Sequence, residues 1–173
     1  MWQYSTYPTP NATNAAKLTD ITASGDVHLN EILPVSTMDG SAAPDGEWVE
    51  FYNAGTTPVD LNGWSIIDGM GNVTYLDPGT IVANSSQGST MIDGGERRLV
   101  EYTGETRLWD NHNHLVVRDA SGSIVDMGFY TTNYGPDVSL IRGQQYHDPW
   151  TPSISPSPGL SLIHISEPTR LQD

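Results

Sequence analysis

The chain contains no cysteine, which excludes a disulfide framework and any thiolate nucleophile or metal ligand. Lysine is almost missing too: Lys17 stands alone among 7 basic residues, against 21 acidic ones and a formal charge of −14. The only basic doublet, Arg97-Arg98, is flanked by Glu96 and Glu101. A surface of that sign repels polyanions, so nucleic-acid binding, which needs Lys and Arg clustered against phosphates, is not expected. No apolar run approaches the roughly 18 residues that cross a bilayer as a helix, so no membrane segment is expected either. Also missing are a G-x-S-x-G elbow, an H-E-x-x-H pair and any other nucleophile-and-base signature. Paired carboxylates in so acidic a chain carry no glycosidase signal by themselves. The expectation is a protein that is not an enzyme.

What is present is turn chemistry. Seventeen Gly and twelve Pro cut the apolar residues into short runs, and none has the 3.6-residue period of an amphipathic helix. The spacing predicts strands at Val27–Leu33, Glu47–Asn53, Gly63–Asp68, Val73–Leu76, Arg97–Thr103, Leu115–Asp119, Ile124–Thr131 and Val138–Arg142. Turn residues such as Ala54-Gly55, Gly94-Gly95 and Ser121-Gly122 separate them. Eight short runs at this spacing imply an all-β fold, an immunoglobulin-like β-sandwich. Alternation then assigns faces. Val49 and Phe51 point inward on their strand, Val125, Met127 and Phe129 on theirs, and Leu140 on the last.

Several of these runs carry motifs in a recognisable order: Leu29-Asn30-Glu31-Ile32, Glu47-Trp48-Val49-Glu50-Phe51-Tyr52-Asn53, and Val59-Asp60-Leu61-Asn62-Gly63-Trp64-Ser65-Ile66. After them come Leu115-Val116-Val117-Arg118-Asp119 with Gly122 and Val125-Asp126, then Ser139-Leu140-Ile141-Arg142 and the exit Pro156-Ser157-Pro158-Gly159. In this order, over residues 27–159, the sequence resembles the lamin tail domain family, of the type found in prokaryotic secreted and surface proteins. It departs from the pattern between Asp77 and Leu108, where the loop is longer and rich in Gly, Ser and Asn. The resemblance implies binding or architecture, with Gly63 supplying a turn that a side chain could not enter and Trp64 plugging the sandwich. It also marks Asp126 and Arg142, read as standing on neighbouring late strands, as a buried or half-buried ion pair.

Other candidate sites are local. Asp39, Asp45 and Glu47 crowd the loop before the tryptophan strand and offer hard oxygen ligands to Ca²⁺; a solvated acidic loop is the plainer reading, and no cofactor is expected. His112 and His114, two residues apart beside Asp110, could hold a transition metal only with a third ligand that the sequence does not place. Trp48 and Tyr52, with Tyr130, Tyr134, Tyr146 and Trp150, would make an aromatic platform for a protein or carbohydrate partner if exposed. Otherwise they cover the second sheet or cap the ends. Asn11, Asn72 and Asn84 begin glycosylation sequons, relevant only if the chain is exported.

The ends read differently. Residues 160–173 begin with Leu-Ser-Leu-Ile-His-Ile-Ser-Glu-Pro-Thr-Arg, the translation of a transposon-end adapter used in preparing DNA libraries, and are expected to be non-native. Setting them aside removes one base and two acids and leaves a charge of −13, so the electrostatic argument stands. At the other end Trp2, Pro8 and Pro10 repeat the spacing of Trp150, Pro156 and Pro158. Residues 1–14 therefore read as the last piece of a preceding similar domain, 15–25 as a polar linker and 26–159 as the sandwich. The expectation is a non-catalytic interaction or structural module, in tandem copies, of a multidomain extracellular or cell-surface protein. The alternative is an accessory domain tethering a secreted hydrolase or nuclease to substrate or envelope.

Overall fold

The computed structural model describes residues 27–37, 46–82, 89–102, 108, 113–142 and 150–159. Twelve strands appear among them: β1 (Val27–Leu33), β2 (Glu47–Asn53), β3 (Val59–Asp60), β4 (Ser65–Ile67), β5 (Val73–Tyr75), β6 (Ile81–Val82), β7 (Met91–Ile92), β8 (Arg97–Tyr102), β9 (Asn113–Arg118), β10 (Ile124–Tyr130), β11 (Ser139–Ile141) and β12 (Thr151–Ser153). They build a six-stranded sheet in the order β12-β11-β1-β2-β8-β6, a four-stranded sheet in the order β10-β9-β4-β5, and a small β3-β7 pair. All pairings are antiparallel. Two facing sheets of short, β-branched and aromatic strands make the expected sandwich.

The inner faces supply one core. Leu29, Ile32, Val49, Phe51 and Val100 from the larger sheet meet Ile66, Leu115, Val117 and Tyr130 from the smaller, all buried. Trp64 lies inside this core at 5 % exposure, the plug that its size suggests. Gly63 before it has φ +78°, but a Cβ there would come only within 3.6 Å of Ala120, an ordinary contact. The turn needs glycine for its left-handed backbone, a conformation that side chains rarely enter, as expected from the sequence, and not for want of space.

Two bulges reset the alternation. On β1 the register shifts between Leu29 and Glu31, and on β10 between Ile124 and Asp126. An extra residue in one strand of a pair swaps the faces of everything beyond it. Val125 therefore faces the core as expected, but Met127 and Phe129 do not: Phe129 is 61 % exposed, while Asp126, Gly128 and Tyr130 are buried. Gly128 suits its inward position, since a Cβ there would stand 3.1 Å from both Ile32 and Trp150.

Candidate interaction surfaces

The bulge in β10 decides what the smaller sheet shows to solvent. Register places Met127 beside Val116, Val116 beside Ile67 and Ile67 beside Val73, an unbroken apolar row across four strands. Phe129 flanks one end of this row through its pairing with His114, and Tyr75 lies on the edge strand beside Ser65. Val116 and Ile124 are sealed beneath Ile67 and Met127 in a second apolar cluster. Above it Phe129 (61 %), Tyr75 (64 %) and Val73 (42 %) stand open. Large apolar side chains gathered on one sheet face, with β5 as the edge strand of that sheet among the described residues, form the kind of patch that associates with another surface.

The outer face of the larger sheet is covered instead. Trp48 is 2 % exposed and packs with Leu33 and Leu99, so it belongs to no exposed platform. Tyr52 is half-buried, with Arg97 4.4 Å above its ring and His28 edge-on at 5.6 Å. Tyr130 is in the core, Trp150 is half-buried and Tyr134 is exposed. Tyr146 lies outside the described residues. Trp48, Tyr52, Tyr130 and Trp150 thus cover and cap the sandwich.

On that same face, Glu31 of β1 and Glu50 of β2 are register partners, and both are fully buried. The exit segment after β12 runs over them. The Ser157 amide and hydroxyl donate to the two Glu31 carboxylate oxygens at 3.1 and 2.9 Å, and the Gly159 amide donates to Glu50 at 2.5 Å. Asn30 Nδ2 donates to the other Glu50 oxygen at 2.6 Å, and Arg97 Nε stands 3.5 Å from it. Burial pushes the Glu50 carboxyl up to about 8 against the pull of those donors, and the neighbouring Glu31 pushes the same way. Burial raises Glu31 as well, opposed by Ser139, Ser157 and Arg97. The sequence reading missed this pair. Its signal was available, since Glu31 and Glu50 sit in the two most recognisable strand motifs, but ordinary alternation hands both to solvent.

Asp126 and Arg142 are brought together, though not on neighbouring strands. Asp126 is on β10 of the smaller sheet and Arg142 follows β11 of the larger. Arg142 Nη1 donates to both Asp126 oxygens at 2.9 and 3.0 Å, Nη2 donates to the Met127 carbonyl at 2.8 Å, and the Leu29 amide donates to Asp126 at 2.7 Å. Trp150 caps the guanidinium at 4.4 Å. The bulge at Val125 turns Asp126 inward to make this contact, and sequence alternation alone would not have placed it.

Of the candidate Ca²⁺ ligands, Asp39 and Asp45 lie outside the described residues. Glu47 is buried and accepts the Leu108 amide at 2.5 Å. Among the described residues no three His, Asp or Glu side chains gather as a metal site would require; Asp110 and His112 lie outside them. Asn113 instead accepts the Gly69 amide at 2.8 Å. Asn72 donates to Asp68 at 2.8 Å, while Asn11 and Asn84 are outside the described residues.

Two antiparallel sheets around a tryptophan-plugged core, with buried polar pairs that fasten strands together, define an immunoglobulin-like structural domain. A family model, the Lamin Tail Domain, matches residues 21–132, and the chain belongs to that family. It is a β-domain family of structural and interaction modules. No curated protein and no solved structure matches the chain.

Proposed function

We propose that this domain is a non-catalytic interaction module of a multidomain secreted or cell-surface protein, and that it docks a protein partner on the outer face of its four-stranded sheet. The observation that carries the reading is the Met127–Val116–Ile67–Val73 row with Phe129 and Tyr75 standing open beside it. Aromatic and Met side chains of this kind are enriched at interface centres. The strongly acidic charge, −13 without residues 160–173, favours through long-range steering an apolar partner surface that also carries Lys and Arg, and disfavours acidic ones.

Tandem copies are part of the proposal. Just before β12, Trp150 covers Arg142, and in the exit segment after it the hydroxyl between two prolines, Ser157, binds Glu31. The stretch from Trp2 repeats the tryptophan, both prolines and, at Thr9, the hydroxyl between them. Residues that fasten the end of the domain, from Trp150 through the exit segment, to its sandwich are thus of the types that recur.

Selection of displayed peptides against the full chain tests the docking face. The expected winners combine aromatic or aliphatic residues with Lys or Arg, perturb the amide resonances of Ile67, Val73, Val116 and Phe129, and lose binding to Phe129→Asp and Tyr75→Asp. Peptides that map to the loops, or that bind Phe129→Asp unchanged, would overturn it. Oligosaccharides that bind in a Phe129-dependent way would replace the protein partner with a sugar.

A further inference from the structure

The docking face makes no use of the Glu31–Glu50 pair, which is the least expected feature of the described residues. Two carboxylates from adjacent strands share one seam closed to bulk solvent, and the exit segment is what seals it: both Glu31 oxygens and one Glu50 oxygen are covered by Ser157 and Gly159. The groups facing the seam can be named strand by strand. β1 contributes Glu31 and the Asn30 amide, and β2 contributes Glu50 with Tyr52 beyond it. β8 contributes Arg97, next to Glu50 through its stack on Tyr52, with Glu101 further along opposite Trp48. β11 contributes the Ser139 hydroxyl, and His28 stands at the far side of Tyr52. Two acids thus meet one guanidinium.

We propose that this pair is a proton-operated latch: a proton retained at the two carboxylates keeps the exit segment 155–159 seated on the sheet, and its loss lifts the segment away. The physical reason is a contest between hydrogen bonds and hydration. Amide and hydroxyl donors favour the ionised forms, yet two like charges sealed together lose far more hydration than three strap donors return. With the segment seated, the cheaper state keeps one acid neutral. Once that proton leaves, opening the seam admits water to both carboxylates and separates the strap from a doubly charged site. The raised Glu50, up to about 8 from an ordinary 4.5, agrees with this order of effects. By linkage, the ratio of seated to lifted segment falls about tenfold per pH unit between those two values. Because the exit segment fixes how the chain leaves the sandwich, the latch converts ambient pH into freedom or constraint of whatever follows.

Nuclear magnetic resonance on the full chain, titrated from about pH 5 to about pH 9, reads the latch directly. The Glu50 carboxyl carbon is expected to titrate with a midpoint well above its ordinary 4.5 and below the value of about 8 that holds with the segment seated, with the Ser157 and Gly159 amides shifting and losing exchange protection over the same range. Glu50→Gln, a permanently neutral stand-in, should hold those amides unchanged across the titration. Should that variant fail to fold, Glu31→Gln serves instead and should lower the Glu50 midpoint, because the second charge is gone. A Glu50 midpoint in the ordinary carboxylate range overturns the proposal, as do strap amides that stay protected while Glu50 titrates. Neither result touches the docking face, whose variants report separately.

Discussion

Asp126 and Arg142 join the two sheets of the sandwich through a buried, two-pronged contact at 2.9 and 3.0 Å. Each is at most 2 % exposed in its side chain, so removing one partner leaves the other charged and dry. Asp126→Ala should therefore lose about 3–5 kcal/mol in denaturant unfolding, with the Leu29 amide bond lost as well. Replacing both residues with apolar ones of similar size should recover much of that loss. Equal unfolding midpoints for Asp126→Ala and parent would show that the contact is dispensable.

The two outer faces predict opposite outcomes for aromatic truncation. Trp48→Ala empties the cluster with Leu33 and Leu99 and should cost about 3–5 kcal/mol. Phe129→Ala, at an open position, should change stability by less than about 0.5 kcal/mol. Thermal or chemical melts of the two variants decide it, and a reversed ranking would mean the faces are exchanged.

Gly63 separates conformational strain from crowding. With φ at +78° and only Ala120 within reach at 3.6 Å, Gly63→Ala should cost about 1–2 kcal/mol through backbone strain alone. Gly63→Asn should recover part of it, since Asn tolerates the left-handed region better. If Asn is as harmful as Ala, crowding is the cause after all.

Global stability should fall as pH rises from the acid side toward neutrality and beyond, the reverse of ordinary carboxylate behaviour. Glu50 binds its proton more tightly folded than unfolded, so its contribution is complete below 4.5 and is lost as pH climbs to about 8, at on the order of 1 kcal/mol per pH unit. Glu31 acts in the same direction. Asp137, held low by the Thr37 hydroxyl and amide, works oppositely, as does Asp119, whose slight burial is outweighed by hydrogen bonds from Ser121 and Ser123. Their contributions are present above 3.8 and are lost as pH falls. Urea midpoints measured across pH should peak at about pH 4–5. A peak near neutral pH would mean Glu50 titrates normally.

Much of the sandwich is legible because long strands carry redundant information. Val27–Leu33 and Glu47–Asn53 are observed with the predicted bounds, since each combines β-branched or aromatic residues with turn residues on both sides. The two-residue strands β3, β6 and β7 were missed: two residues have no period, and only a partner across the sheet makes them strands. Trp64 reads as core from its size and its turn. The bulges at Asn30 and Val125 carry no such mark. They cost the face of Phe129, and with it the docking patch, and they hid the route by which Asp126 reaches Arg142. The acid pair was illegible for another reason, because what buries Glu31 and Glu50 is Ser157 and Gly159, more than a hundred residues along the chain from both.

That return of the chain onto its first two strands has a mechanical side. Tension applied beyond Gly159 would meet the amide-to-carboxylate contacts at Glu50 and Glu31 before it reached the ladder between β11 and β12. The sandwich therefore carries its own fuse: a short length of polypeptide can peel and lengthen the tether while both sheets and the core between them remain intact.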